Sequence, residues 1–183
     1  MYLKYCVAGC LLASLLLTRS SFAQSPPATS APRSFTFLGF PTKVLISGAD
    51  TANASALLDM HIPSKAGPPA HIHSREDEVY LIKRGTFQFL MDGVCLQAGP
   101  GTSVYMPKGH FHTFKNISRQ TGEQLMFVYP AGIEQFFWKV SEMAPAMPKD
   151  FPKLSELAHS YGIDLVPDHE FHPGACQILK PLK

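Results

Sequence analysis

The chain has 183 residues, 16% of them charged and 11% aromatic, with 16 prolines and 13 glycines. This composition suits one turn-rich β domain with a real core better than a helical bundle or a disordered chain. The formal charge of +2 rests on Lys4 and Arg19, since the other 14 basic residues cancel the 14 acidic ones, and a neutral remainder with no basic cluster argues against nucleic acid as a partner.

Residues 1–23 read as a signal peptide. Lys4 supplies the early positive charge, Tyr5 to Leu17 an apolar run, and Ser21 and Ala23 the small residues before a cut at Gln24. Such a run spans about 20 Å as a helix, short of the roughly 30 Å hydrocarbon layer, so a membrane anchor is the weaker reading. The mature protein is therefore expected to be secreted or periplasmic, with no membrane attachment after cleavage. Cleavage removes Cys6 and Cys10 and leaves Cys95 and Cys176 in an oxidising compartment. A disulfide between them and two unrelated buried thiols are both open readings.

Residues 24–33 are rich in Ser, Pro, Ala and Thr, have almost nothing to bury, and are expected to form a flexible linker. Residues 34–130 read as one all-β domain. Phe35 and Phe37, then Val44 to Ile46, look like short strands separated by Gly39-Phe40-Pro41, and Ala56 to Ile62 is another, closed by Pro63. Val79 to Ile82 and Thr86 to Met91 follow, with Asp92-Gly93 as a hairpin turn into Val94 to Leu96. Thr102 to Met106, His110 to Asn116 and Gln124 to Tyr129 complete a series spaced near ten residues and punctuated by Gly and Pro, which points to a sandwich or closed barrel.

Residues 131–183 form a C-terminal extension in which the period changes. Ile133, Phe136, Phe137 and Val140 fall at i, i+3, i+4 and i+7, which predicts a helix from Gly132 to Met143 with one face on the barrel. A second helix carries Leu154, Leu157, Ala158 and Tyr161, with Gly162 placed to cap it. The last 20 residues show no pattern.

The chemistry lies between Gly67 and Asn116. His71 and His73 point to one side of an extended segment. Glu78 lies five residues beyond His73, an odd offset that requires a bulge or bend over Ser74 to Asp77. Glu78 then shares a face with Tyr80 and Ile82, where a carboxylate is costly unless paired or bound to metal. Three imidazoles (His71, His73, His112) and one carboxylate at these spacings suggest a mononuclear metal site. Glu76, Asp77 and His110 compete for these roles. Asp77 should point outward, Glu76 lies further from the barrel centre, and His110 reads as a neighbour of the site or a rim loop residue.

The chain resembles the cupins. Gly101, Pro107, Gly109, His112 and Asn116 match the family's second motif in full, and His71, His73, Glu78 and Gly85 match the first. Lys65 stands where the family's leading glycine is expected, although Gly67 nearby can serve the turn. The resemblance implies a single cupin (jelly-roll) β-barrel whose metal ligands are His71, His73, Glu78 and His112. It implies one divalent transition metal ion (Fe, Mn, Ni, Co, Cu or Zn), a choice that an imidazole-rich site does not make by itself. Similarity to quercetin dioxygenases implies a metal-dependent dioxygenase acting on a small aromatic or enolic substrate, with Glu78 as the catalytic proton acceptor. The alternative is a non-catalytic cupin that binds a metal or small ligand. Phe87, Phe89, Met91, Tyr105, Met106, Phe114 and Phe127 are candidates for a flat apolar pocket, the other reading being ordinary barrel core. By family analogy a homodimer paired through edge strands is expected.

Overall fold

The structure, a computed structural model, describes residues 33–166 and 175–181. The expected signal peptide, residues 24–32 of the expected linker, and residues 167–174, 182 and 183 lie outside the described residues. Arg33, the last linker residue, is held by Asp50 at 2.8 Å and by the Leu45 carbonyl at 3.2 Å.

Twelve strands make two six-stranded sheets among the described residues. The first sheet holds β1 (Ser34–Phe37), β2 (Phe40–Ile46), β3 (Ala56–Ile62), β10 (Gly122–Tyr129), β5 (Asp77–Arg84) and β8 (Ser103–Met106), in that spatial order. The second holds β11 (Ile163–Leu165), β4 (His71–His73), β9 (Phe111–Asn116), β6 (Phe87–Met91), β7 (Val94–Ala98) and β12 (Gln177–Ile178). This is the jelly-roll arrangement that the cupin resemblance implied, within the sandwich or barrel class to which the strand spacing pointed.

Alternation decides which residues meet between the sheets. Ala56, Leu58, Met60 and Ile62 of β3, and Met126 and Val128 of β10, face Phe87, Phe89 and Phe114 from the second sheet. Burying such a side chain contributes about 1.5–3 kcal/mol before the entropy of ordering it. Two helices, α1 (Ile133–Met143) and α2 (Phe151–Ser160), close one end. The period-3.6 stripe of α1 is buried as read, and Phe137 stacks on Phe37 with ring centroids 3.9 Å apart. Its buried Glu134 accepts hydrogen bonds from the Gly48 and Gly132 amides, both at 2.9 Å. No helix of the described residues is long and apolar enough to cross a membrane.

Three local features differ from the sequence reading. Phe40 and Pro41 belong to β2 rather than to a break, because Leu38 and Gly39 alone make the turn, both at positive φ (47° and 83°), which suits the twist of a two-residue hairpin. The bend after the histidines is a crossing between sheets: β4 lies in one and β5 in the other, so a period of two does not carry across Ser74 to Glu76. The patternless tail supplies β11 and β12, strands of three and two residues that take their hydrogen bonds from exposed sheet edges, β11 on β4 and β12 on β7. Such short segments carry no readable alternation. The tail is also tied covalently, since Cys176 forms a disulfide with Cys95 of β7 across 81 residues.

The second motif's Asn116 is fully buried and works as a clip. Its amide donates to the carbonyls of Ile62, Pro63 and Gln120 at 2.9, 3.2 and 2.9 Å, and its oxygen accepts from the Ser118 amide and hydroxyl. The same corner explains the departure at Lys65. Lys65 adopts φ 65°, the left-handed region that favours glycine, and its amide donates to the Asn116 carbonyl at 2.9 Å. Gly67 answers a different need, because a Cβ there would sit on the Phe114 carbonyl oxygen. Lys65→Gly is therefore expected to stabilise the fold by about 0.5–1 kcal/mol in chemical denaturation. A loss of stability would show that the Lys65 ammonium contact with the Ile117 carbonyl, at 3.0 Å, outweighs the backbone strain.

Candidate metal centre

β4 and β9 run antiparallel with His71 directly opposite His112, and His73 lies two residues along on the same face. These three imidazoles come from the second sheet. Glu78 comes from β5 of the first sheet and reaches across the interior. All four side chains are buried, and one ligand atom from each lies within 4.8 Å of the others. The structure thus brings together the four sequence candidates. Of the competitors, Asp77 faces outward as expected and accepts from the Lys108 amide at 2.9 Å. His110 is half exposed and pairs with Asp92 at 2.5 Å, away from the cluster. Arg75 and Arg84 are exposed.

Outer acceptors set the orientation of each ring. Nδ1 of His71 meets the Pro69 carbonyl at 2.8 Å, Nδ1 of His112 the His110 carbonyl at 3.0 Å, and Nδ1 of His73 the Glu76 carboxylate at 3.4 Å. Each acceptor selects the tautomer with the proton on Nδ1, which turns the Nε2 lone pair inward. Nε2 of His73 lies 3.3 Å from Glu78 Oε1 and has no hydrogen-bond partner, while Nε2 of His112 lies 3.2 Å from Glu78 Oε2. Several lone pairs and a carboxylate converging in a buried space repel one another unless a cation lies between them. The donor set therefore fits a divalent ion of the imidazole-accepting kind, with His71, His73, Glu78 and His112 as the residues that would hold it.

The protons respond to the same crowding. Burial, with His112 and His73 close by, pushes the His71 ring well below its ordinary range. Burial works to lower His73 as well, but the Glu78 and Glu76 carboxylates outweigh it and raise it. For Glu78, burial favours the neutral acid, yet His73 and His112 overcome that and hold it below the usual carboxylate range.

Two buried residues beside the cluster escaped a role in the sequence reading. Tyr80, noted only as sharing a face with Glu78, donates its hydroxyl to Glu78 Oε2 at 2.8 Å, and burial followed by that carboxylate pushes its own ionisation well upward. Glu76, weighed as a rival ligand, stands behind His73. Its signal was present, since a carboxylate three residues after a histidine at a sheet crossing can reach back to the ring.

The cluster opens onto a chamber of about 40 Å³, lined beside the ligands by Phe40, Tyr80, Phe114, Phe136, Leu154 and other apolar groups, with no lysine or arginine among the described residues. The aromatic stripe expected there is mostly elsewhere. Of its members only Phe114 lines the chamber, whereas Phe87, Phe89 and Met106 are core and Tyr105 and Phe127 lie 51% and 39% exposed on the outer face of the first sheet. The wall comes instead from the β1–β2 hairpin and the helices, which sequence spacing could not place against the site.

Comparison with known proteins agrees with the motif reading. Residues 58–129 match the family model described as the cupin domain. No curated protein matches the chain. Among solved structures, KdgF from a Halomonas species aligns at 15% identity with TM-score 0.48, covering 53% of this chain and 84% of its own. A predicted oxalate decarboxylase from Thermotoga maritima aligns at 22% identity with TM-score 0.48, covering 50% and 80%. A sugar phosphate isomerase from Silicibacter pomeroyi aligns at 19% identity with TM-score 0.44, covering 50% and 59%.

Two outcomes are expected for metal uptake. The mature protein should bind one divalent ion per chain by elemental analysis after dialysis, and Glu76→Gln should weaken binding about 10–100-fold, with His112→Ala weakening it further. A His71→Ala, His112→Ala double variant with unchanged metal content would remove the assignment. Protons compete for the same nitrogens: His73, raised by its carboxylates, must give up its proton to bind, so affinity should fall as pH drops from 7.5 to 5.5 in an ion titration.

Proposed function

The chain carries a cupin domain over residues 58–129, and from that premise we propose that it is an exported metal-dependent dioxygenase acting on a small neutral aromatic or enolic compound. The observation that carries this reading is the pairing of a buried three-histidine, one-glutamate cluster with a chamber wall that offers no cationic side chain among the described residues. A dicarboxylate or a sugar phosphate entering such a space would meet, apart from the ion itself, no cationic side chain among the described lining residues to balance its remaining charge, at a cost of several kcal/mol. A neutral aromatic or enolic substrate and dioxygen both favour apolar walls.

A redox-active divalent ion, when held by His71, His73, Glu78 and His112, would supply Lewis acidity at a substrate oxygen and a route for electrons to dioxygen. The protein's own groups do the rest. Phe114, Phe136 and Leu154 exclude water from the chamber. Glu78 is the carboxylate that lines the chamber and it is held ionised, so it is the group placed to take the proton from an enolic hydroxyl. Its Oε2 accepts from Tyr80 at 2.8 Å, which holds the carboxylate in place, while Oε1 faces His73 Nε2 at 3.3 Å. Both atoms of dioxygen enter the product, so no external reductant is required.

The Cys95–Cys176 disulfide supports placement in a secreted or periplasmic compartment, where such bonds persist. A second reading, a non-catalytic cupin that binds a metal or small ligand, is favoured by one observation: about 40 Å³ is far below the roughly 300–1,000 Å³ of ordinary ligand pockets. Oxygen uptake by metal-loaded protein against flavonols, catechols and diketones separates the two. Turnover with at least one class is expected, and Glu78→Ala should reduce kcat at least about 100-fold while metal content falls less. Full metal loading with no oxygen consumed on any of them gives the binding reading.

A further inference from the structure

The chamber shares wall residues with a second hollow. Leu38, Pro68 and Pro69 line the chamber and also line a surface groove of about 690 Å³ bounded by Thr36, Val140, Ser141 and Met147. The groove lies between the β1–β2 turn, the loop before β4, and the segment joining α1 to α2. Two properties stand out together. Among the described residues, no lysine, arginine, aspartate or glutamate lines the groove, and in the chamber the only charged side chains are the candidate ligands themselves. The volumes are also unequal. The chamber has room for a few non-hydrogen atoms, at about 10–15 Å³ of such space per water, whereas the groove falls within the roughly 300–1,000 Å³ of small-molecule sites.

We propose that this groove is an outer subsite for the body of a neutral, elongated, largely apolar molecule whose oxygen-bearing end passes Leu38 and Pro69 to reach the cluster. The proposal rests on the metal-centre reading above and deepens it by naming the shape and charge of the ligand. It also resolves the size conflict, because a chamber too small for a whole substrate is large enough for its reacting end. Leu38 is held at this junction by the positive-φ hairpin turn, so its side chain faces both hollows while its neighbours Phe37 and Phe40 remain in the core. Before the cluster itself, an anionic ligand finds no cationic side chain among the described lining residues. A neutral one loses only water from apolar walls.

Cobalt-loaded protein provides the test, since visible absorption reports ligands reaching the ion. Acetylacetone, benzoylacetone and dibenzoylmethane share one enolic head and differ in their apolar body. The wild-type protein should bind benzoylacetone at least about tenfold more tightly than acetylacetone, the gain expected from burying a phenyl group. Thr36→Lys and Met147→Lys introduce a cation at exposed groove positions clear of the ligands. Both should abolish the gain and leave acetylacetone affinity and cobalt content after gel filtration unchanged. A flat series in cobalt-loaded wild type, or a gain that survives both lysine variants, overturns the subsite alone. A wild-type protein that retains no cobalt overturns the metal-centre reading, and the subsite falls with it.

Discussion

The structure depends on a register. β4 pairs with β9 so that His71 faces His112, and β5 crosses from that sheet to the other so that Glu78 approaches the same point from the opposite wall. A shift of one residue in either strand would turn its polar side chains outward. The cost of gathering three imidazoles and a carboxylate in a dry interior is met locally. Each Nδ1 has an acceptor, Glu78 accepts from Tyr80, and the inward nitrogens remain as a donor set that only a cation satisfies.

The remaining elements guard that point. β11 adds to the free edge of β4, opposite its pairing with β9, so the histidine strand is hydrogen-bonded on both sides although it is only three residues long. α1 and α2 contribute Phe136, Phe137 and Leu154 to the chamber wall, and the β1–β2 hairpin contributes Phe37 and Phe40. The same aromatic contacts that bury the helical stripe therefore shape the space in front of the cluster, including the stack of Phe137 on Phe37. Stability and the shape of the chamber are thus set by one set of side chains, and Leu38, which also borders the groove, lies at the edge of that packing.

Motif residues divide into two kinds of work. His71, His73, Glu78 and His112 converge on one point, whereas Asn116 ties the ends of β3 and β9 together from the far side of the barrel. Lys65 shows what a motif position asks for: its left-handed backbone is the conformation for which the family places glycine, and the local hydrogen bonds to Asn116 and Ile117 hold it in that conformation without one. The departure concerns backbone strain at a loop and leaves the four side chains of the centre undisturbed.

The strands of the barrel, the two helices and the four convergent side chains were legible in the order of residues, because alternation, 3.6-residue periodicity and close histidine spacing are local properties. What the sequence by itself determined was the donor set and the all-β frame that carries it. Only the tertiary structure decided that Glu78 lies on the opposite sheet from the histidines, that Glu76 and Tyr80 support them, and that the chamber wall comes from the hairpin and helices rather than from the central aromatic stripe. It also decided that Cys95 meets Cys176 and that the tail forms two edge strands. The reason is common to all of these: each is a contact between segments distant in sequence, set by how two sheets stack and where their edges remain open, and no local pattern records that.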